Sequence, residues 1–348
     1  MMGRIACGLW VGFVGAALLA ADARPVVRLA WPESGSPYQV EFVGSIRSPE
    51  DAGLKRSFWK RLGNVLTGEP DKPRRFVRPM GVAGTTLDRL LITDPGAGDV
   101  RLLDRPNKKY ASLEGPSRQR LRSPIGAGVD SAGNLYVADS DLGKIFVFKK
   151  NGRFSHFLGD ARGEGVYRRP TGLAIDRASG EIYVTETLRH RVLVLDRQGR
   201  VIRAWGKRGE GPGEFNFPVA VTLHSDRVFV LDAMNFRIQV FTRDGRFVTA
   251  FGKLANEPGG FFRPKGLAFH SDTGLLFVVD AMFEVVQAFT PEGRLVFAFG
   301  TPGEGAGQFR LPSGVLALDD GLLLVADSYN GRVQIFRVVS APAVGVGE

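Results

Sequence analysis

The feature that most constrains this chain of 348 residues is a unit that occurs six times between residues 79 and 338. Each copy opens with a proline and a small, apolar stretch such as Gly-Val-Ala. A β-branched and aromatic run closed by an acid follows, then an alternating run such as residues 237–241, then a turn and a fourth run ending in glycine. The copies lie 45 to 48 residues apart. Their opening prolines are Pro79, Pro124, Pro170, Pro218, Pro264 and Pro312.

Each unit therefore contains four short strands separated by turn residues. Four strands in a period of this length are typical of a β-propeller blade. A single blade cannot bury both faces of its sheet, whereas blades arranged in a ring cover one another. The sequence predicts an all-β fold, a six-bladed β-propeller with four-stranded antiparallel blades over residues 79–338.

Three patterns in these units resemble the NHL repeat: Pro-x-Gly-Val-Ala, Tyr-Val-Ala-Asp-Ser and Asn-x-Arg-Val-Gln-Val-Phe. The best copies are residues 232–241 and 327–336. Blade three departs from the pattern with Glu186 for the usual aspartate, and blade five has Phe-Glu-Val at residues 283–285 where Asn-x-Arg is expected. The resemblance covers about three quarters of the chain and implies a six-bladed propeller of the NHL-repeat type.

The sixth unit lacks a fourth strand, because only a tail of small residues follows Phe336. A matching run lies near the other end of the chain, where residues 39–44 are similar to the fourth-strand runs 247–252 and 295–300. We predict that a strand over residues 38–44 pairs with the C-terminal strands and completes blade six. The alternative is an N-terminal extension that is independent of the ring.

Residues 1–23 have the features of a signal peptide. Arg4 is followed by an uncharged and mostly apolar stretch to Ala20, and residues 21–23 (Ala-Asp-Ala) have the small-x-small pattern of a cleavage site. The single cysteine, Cys7, lies in this leader, so disulfides would have no role in the mature chain. We predict a bacterial protein of the periplasm, or one secreted or held at the cell surface. The alternative is a retained N-terminal anchor.

Residues 24–78 are a predicted N-terminal extension, in which a helix over residues 49–67 follows the closing strand. Ser48 would cap this helix, and Pro49 suits its first position. The helix has one apolar stripe and several basic residues, which leaves two interpretations open: packing over the propeller, or peripheral contact with a membrane surface. Residues 339–348 are predicted to be a flexible tail.

The acids that end the second strand recur in every unit, which favours a structural role over a catalytic one. Such acids accept hydrogen bonds from backbone N–H groups or pair with a nearby arginine. The sequence contains no His-x-x-x-His, Glu-x-x-His or Gly-x-Ser-x-Gly pattern, so we predict no catalytic residue, no metal and no cofactor. We refer to the six acids as the blade acids: Asp94, Asp139, Glu186, Asp232, Asp280 and Asp327.

A basic rim is the remaining candidate for a site, in a chain with a net charge of +10. In a propeller, the connections between second and third strands open on the same face as those between blades. Both sets are basic here, and the connections between blades include Arg169 and Arg263. An anionic partner would suit this rim; the alternative is a solvated surface balanced by acids. The predicted ligand-binding residues are Lys144, Arg168, Arg189, Arg191, Lys207, Arg237, Lys265, Tyr329 and Arg332.

These observations predict an extracytoplasmic binding or scaffold protein that holds a protein, a peptide or an anionic glycan, as a monomer or as part of an envelope complex. Export argues against nucleic acid as the partner. The alternative is a metal-dependent propeller enzyme of the lyase or lactonase type, with its site in the central channel. Similarity to those families would imply a channel metal, but no matching histidine set or Glu/Asn/Asp trio is found in the sequence.

Overall fold

The computed structural model describes residues 29–32, 35–54, 75–159 and 166–340. Six antiparallel sheets surround a central channel. The first strand of each sheet contacts the first strands of its two neighbours, and this contact continues from the sixth sheet back to the first. The predicted six-bladed β-propeller is therefore confirmed. Within the described ranges, no helix is long and apolar enough to cross a membrane.

Blades one to five each contain four strands, in chain order from the channel outward. Blade one comprises Val82–Thr86, Arg89–Asp94, Asp99–Asp104 and Lys109–Leu113. Blade two comprises Pro124–Val129, Leu135–Asp139, Lys144–Phe148 and Phe154–Leu158. Blade three comprises Pro170–Ile175, Ile182–Glu186, Arg191–Leu195 and Val201–Trp205. Blade four comprises Pro218–His224, Arg227–Asp232, Arg237–Thr242 and Phe247–Phe251. Blade five comprises Pro264–His270, Leu275–Asp280, Val285–Phe289 and Leu295–Phe299.

Short elements lie in the connections at one end of the channel, which we call the loop-bearing face. Single 3-10 turns follow the second strands of blades three, four and six, at Thr187–Arg189, Ala233–Asn235 and Ser328–Asn330. A small parallel pair, Thr301–Pro302 with Gln308–Phe309, lies in the connection to blade six.

Blade six is completed by the N-terminal part of the chain. Its inner strands are Val315–Ala317, Leu322–Asp327 and Arg332–Ser340, and its fourth strand is Tyr38–Ile46. Tyr38 lies opposite Ser340, and Phe42 opposite Phe336. The predicted closing strand is confirmed and extends two residues beyond residue 44, and a further short strand, Ala30–Trp31, pairs with its outer edge. Because Val339 and Ser340 belong to the sheet, the tail predicted from residue 339 was wrong at those two positions.

Apolar contacts hold the closing strand in place. Val40 is completely buried in the core between blades five and six. The rings of Phe42 and Trp31 both meet the ring of Phe336 edge-on, with centroids 5.9 and 6.3 Å away. Blade six is also joined to blade one by a hydroxyl, since Ser328 Oγ donates to the Pro79 carbonyl at 2.6 Å. The ring is therefore closed both by a strand and by direct contact between the last and first blades.

The helix predicted over residues 49–67 is described only in its first six residues. These residues form turns, in which the N–H of Ala52 donates to the carbonyl of Pro49 at 3.1 Å. Ala52 and Leu54 are buried in an apolar cluster with residues of blades six and one. Residues 55–67 and the predicted signal peptide, residues 1–23, lie outside the described residues.

The glycine two positions after the opening proline lies where neighbouring blades approach most closely. A Cβ added at Gly126 would lie 2.1 Å from the Thr171 carbonyl oxygen of the next blade, and one at Gly314 would lie 2.2 Å from the Met80 carbonyl oxygen. This crowding of the inner strands explains why the Pro-x-Gly pattern recurs. Blade four is the exception, with Ala220 at this position.

We expect deletion of residues 24–46 to lower the melting temperature by about 10 °C or more. The deletion removes two strands and the burial of Val40, Phe42 and Trp31, which together stabilise the fold by roughly 5 kcal/mol. Thermal denaturation followed by circular dichroism measures the effect, with deletion of residues 341–348 as the control. A melting temperature within about 2 °C of the parent would contradict closure by this strand.

We expect Gly126→Ala to lower the free energy of unfolding by roughly 2–3 kcal/mol, because the new methyl group collides with a backbone carbonyl. Gly44→Ala is the matched control, since an added Cβ there meets no atom within 4 Å. Urea denaturation measures both variants. Equal unfolding midpoints would show that the inner strands can separate without cost.

Candidate functional site

All six blade acids are completely buried, and all six hold the loop-bearing face together. Each carboxylate accepts a hydrogen bond of 2.6–2.8 Å from the backbone N–H of the residue two positions before the opening proline of its own blade. The connection that enters a blade is thereby tied to the end of that blade's second strand. This arrangement supports the structural role predicted for these acids.

Four of the predicted ligand-binding arginines pair with blade acids, and three of them, Arg332, Arg237 and Arg191, do so through Nε. Arg332 is 3% exposed. Its Nε donates to Asp327 at 2.6 Å, and its Nη2 donates to the carbonyls of Gly305 and Gln308 at 2.8 Å. Arg237 binds Asp232 at 2.9 Å and three carbonyls of the preceding connection. Arg191 Nε lies 2.6 Å from a carboxylate oxygen of Glu186. The donors of Arg332 and Arg237 are thus largely used inside the protein, and Arg191 uses its Nε in the same way.

Three other predicted residues lie apart from one another on the face. Lys144 is buried; its Nζ donates to Gln119 at 2.7 Å and lies 4.9 Å from the centre of the Phe157 ring. Lys207 is exposed and pairs with Glu214 at 3.2 Å. The exposed ring of Tyr329 has the Arg78 guanidinium 4.9 Å from its centre. The structure does not bring these three side chains together into one site.

The other three predicted ligand-binding residues are Arg168, Arg189 and Lys265. They lie at or near a cavity where the central channel opens on the loop-bearing face. This channel mouth has a volume of about 580 Å³ and is lined by residues that flank the opening prolines and by residues of the turns after the second strands. Its cationic residues, which we call the mouth cations, are Arg169, Arg263 and Lys265. No Asp, Glu or His is among the described residues that line the mouth.

Lys265 is held in an unfavourable electrostatic environment. Burial, followed by the positive charges of Arg263 and Arg169, lowers the pKa of its ammonium group below the ordinary value of 10.5. The other blades carry no cation at this position; the equivalent residues are Met80, Ile125, Thr171, Val219 and Ser313. The charge of Lys265 is therefore a departure from the repeat, whereas Arg169 and Arg263 occupy the position before the opening proline, which is also arginine in blade one.

A second basic cavity extends from the channel mouth between blades two and three. This blade 2–3 groove has a volume of about 780 Å³ and shares Ser123, Ser140 and Arg169 with the mouth. Arg168 and Arg189 also line it. Arg189 pairs with Glu186 at 2.9 Å, whereas no ion pair of Arg168 or Arg169 is found within the described part of the chain. The groove also contains Asp141, which pairs with Arg122 at 3.6 Å. The mouth and the groove form one continuous surface with an excess of positive charge.

The opposite end of the channel is bridged by a side chain. Arg177 of blade three donates to the Gly84 carbonyl of blade one at 3.3 Å and lies 3.8 Å from Asp319 of blade six. The cavity at this end, which Arg177 and Asp319 line, has a volume of about 380 Å³, against about 580 Å³ for the channel mouth. In the described ranges, no group of three or more His, Cys, Asp or Glu side chains is placed to hold a metal ion.

Comparison with known proteins supports the repeat and the blade count. A family model described as NHL repeat matches residues 309–336, and one described as 6-bladed beta-propeller matches residues 173–220 and 217–289. This chain is a six-bladed β-propeller. Its sixth blade contains the match to the NHL repeat and is the blade closed by the N-terminal strand.

Similar proteins differ widely in function. Peptidyl-glycine alpha-amidating monooxygenase of Mus musculus is 22% identical over 212 residues, which are 58% of this chain and only 20% of that protein. Virginiamycin B lyase from Staphylococcus aureus has a TM-score of 0.54 and 17% identity, over 76% of this chain and 96% of the lyase. An auxiliary nutrient binding protein from Bacteroides thetaiotaomicron has a TM-score of 0.59 and 12% identity, over 76% of this chain and 69% of that protein. At these identities, the similarity establishes the fold alone.

We expect Arg332→Ala to lower the free energy of unfolding by roughly 3–5 kcal/mol, because it leaves the buried Asp327 carboxylate without its cationic partner. Arg246→Ala is the control: that arginine is exposed and pairs with Asp244 across a surface turn, so its removal should leave the unfolding midpoint unchanged. Urea denaturation of both variants tests the structural assignment. An unchanged midpoint for Arg332→Ala would return this residue to the candidates for ligand binding.

Proposed function

We propose that this protein is a binding or scaffold propeller of the bacterial cell envelope, which holds an anionic ligand at the channel mouth. The observation that carries the proposal is the set of mouth cations, which share one concave cavity without an acidic residue in its described lining. Positive charges in a cleft with low-dielectric walls produce a focused potential that attracts anions. A carboxylate bound there would provide the missing countercharge.

The position of Lys265 supports a functional reason for its charge. Burial near two arginines costs folding free energy, and the reduced pKa of the ammonium group reflects that cost. Apolar residues occupy the same position in blades one, two and four, so the fold itself does not require a cation there. A ligand that needs this charge would account for the unfavourable placement.

The hydroxyl groups around the mouth contribute rigidity more than ligand contacts. Thr187 Oγ1 donates to the Pro218 carbonyl at 2.7 Å and lies 2.6 Å from Thr171 Oγ1. Ser140 Oγ lies 3.0 Å from Ser123 Oγ. Because these hydroxyls join strands and neighbouring blades, recognition of an anion falls to the lysine and arginine side chains.

The blade 2–3 groove extends the basic surface beyond the mouth. Arg168 and Arg189, both predicted from the sequence, continue the line of positive charge that starts at Arg169. A ligand with several negative charges could therefore contact the mouth and the groove together. The combined extent of the mouth and the groove favours an acidic polymer, such as a peptide or a glycan, over a single small ion.

Two further observations bear on the choice of function. The predicted signal peptide favours the cell envelope as the location. A metal-dependent lyase or lactonase would need carboxylate or imidazole ligands at its centre, and the described lining of the mouth offers hydroxyl, apolar and cationic side chains instead. Binding therefore has more support than metal-dependent catalysis, even though a lyase shares the fold.

We expect Lys265→Met to weaken binding of fluorescein-labelled hexaglutamate by about tenfold or more, because a charge-assisted contact is lost. The same substitution should raise the melting temperature, since methionine is the residue of blade one at this position and needs no desolvation of a charge. Fluorescence anisotropy and thermal denaturation measure the two effects. Lys149→Met, on the opposite face, is the control and should change neither.

The pH dependence gives a second readout of the same variant. The pKa of Lys265 is lower in the folded state than in the unfolded state, so the unfolded chain binds more protons between the two values. The loss of folding stability caused by the charged Lys265 is complete below the folded-state pKa and disappears as the pH rises towards 10.5. The stability advantage of Lys265→Met should therefore shrink over that alkaline range.

Unchanged hexaglutamate binding in this variant would reject the mouth as the site.

A further inference from the structure

The loop-bearing face also carries a row of exposed apolar side chains. They occupy the same repeat position, two residues after the blade acid, in four consecutive blades. Their exposed fractions are 50% for Leu188, 53% for Met234, 47% for Met282 and 56% for Tyr329. We call these four residues the apolar arc. Blades one and two interrupt the row with Gly96 and Asp141.

The backbone of the apolar arc is fixed by hydrogen bonds. The N–H groups of Leu188, Met234 and Tyr329 donate to carbonyls of the connection that enters the same blade, at 3.3, 3.0 and 3.1 Å. The N–H of Met282 donates to the carboxylate of Asp280 at 3.0 Å. These side chains are thus presented to solvent on ordered turns, so burying them in a complex requires little loss of backbone entropy.

The apolar arc and the basic surface share their borders. Met234 lines the channel mouth together with Lys265 and with Phe262, which is 45% exposed. Leu188 lines the blade 2–3 groove beside Arg168 and Arg189. Single exposed apolar residues are common on protein surfaces, but a row of them next to a cationic cavity is typical of an interaction site.

We infer that the ligand is an extended polypeptide segment of a partner protein, with acidic side chains for the mouth and groove and apolar side chains for the arc. This inference rests on the proposed function and specifies its ligand. Charge complementarity requires the acidic groups, and the arc requires an apolar contact that a small anion cannot make. A glycan rich in hydroxyl groups would leave the methionine and leucine side chains without an apolar partner.

Two labelled heptapeptides test this inference. In one, four glutamates alternate with three leucines; in the other, the leucines are replaced by serines, so that the charge is unchanged. We expect the leucine peptide to bind the full chain about tenfold more tightly in fluorescence anisotropy, because burial of a few apolar side chains provides that gain. The serine peptide should bind through the cations of the mouth and the groove without the apolar arc, and Lys265→Met should weaken its binding by about tenfold or more.

The arc variant Leu188→Ser/Met234→Ser/Met282→Ser should reduce the tenfold preference for the leucine peptide over the serine peptide to less than threefold, because it removes the apolar partners of the leucines. The matched control is Val201→Ser/Ile202→Ser/Val248→Ser, which changes three exposed apolar residues on the outer strands of blades three and four. This control should keep the full preference. Melting temperatures of both variants establish that they are folded.

The outcomes separate this inference from the proposed function. Equal affinity of the parent for the two peptides, or a full preference in the arc variant, would overturn the polypeptide ligand while leaving anion binding intact. Tight binding of a sulfated oligosaccharide that displaces both peptides, with no gain from leucine, would identify a glycan instead and also overturn it. Binding of neither peptide and no oligosaccharide would reject the proposed function itself.

Discussion

The loop-bearing face of this propeller depends on six carboxylates that have no contact with solvent. A buried carboxylate is stable only when hydrogen-bond donors replace its water, and here each takes the N–H of the connection that enters its own blade. The end of that connection is therefore held in the same way in every blade, and a residue beside the opening proline of each blade reaches the channel mouth. These hydrogen bonds hold the backbone of the face in the same way in each blade. Ligand specificity then depends on the few positions at which the blades differ.

This division of roles explains why charged residues of the same type behave differently. Arg332 and Arg237 occur at equivalent positions, and their guanidinium groups bind blade acids and backbone carbonyls. Lys265 stands where the other blades have apolar or hydroxyl residues, and it lines the mouth. A residue shared between blades serves the architecture, whereas a charged residue found in a single blade is more informative about recognition.

The blade number and the closing strand could be predicted because both depend on local apolar patterns. The period of the repeat determines the first, and residues 39–44 have the pattern of a fourth strand wherever they lie in the chain. The boundary at Ser340 could not be predicted, since its pairing partner, Tyr38, lies at the other end of the chain. The site was predicted only in part: Lys144 and Lys265 look alike in the sequence, and only the folded arrangement shows that one is capped by Gln119 while the other adjoins two arginines.

The seam between the last and first blades runs through the channel mouth, since Met80 of blade one and Ser313 of blade six both line it. Formation of that seam brings together segments from distant parts of the chain, and contacts of such long sequence separation carry a high entropic cost during folding. The cavity is thus assembled only once the circle is complete. A ligand bound at the mouth would then stabilise the closed ring over any form in which the inner parts of blades six and one have separated.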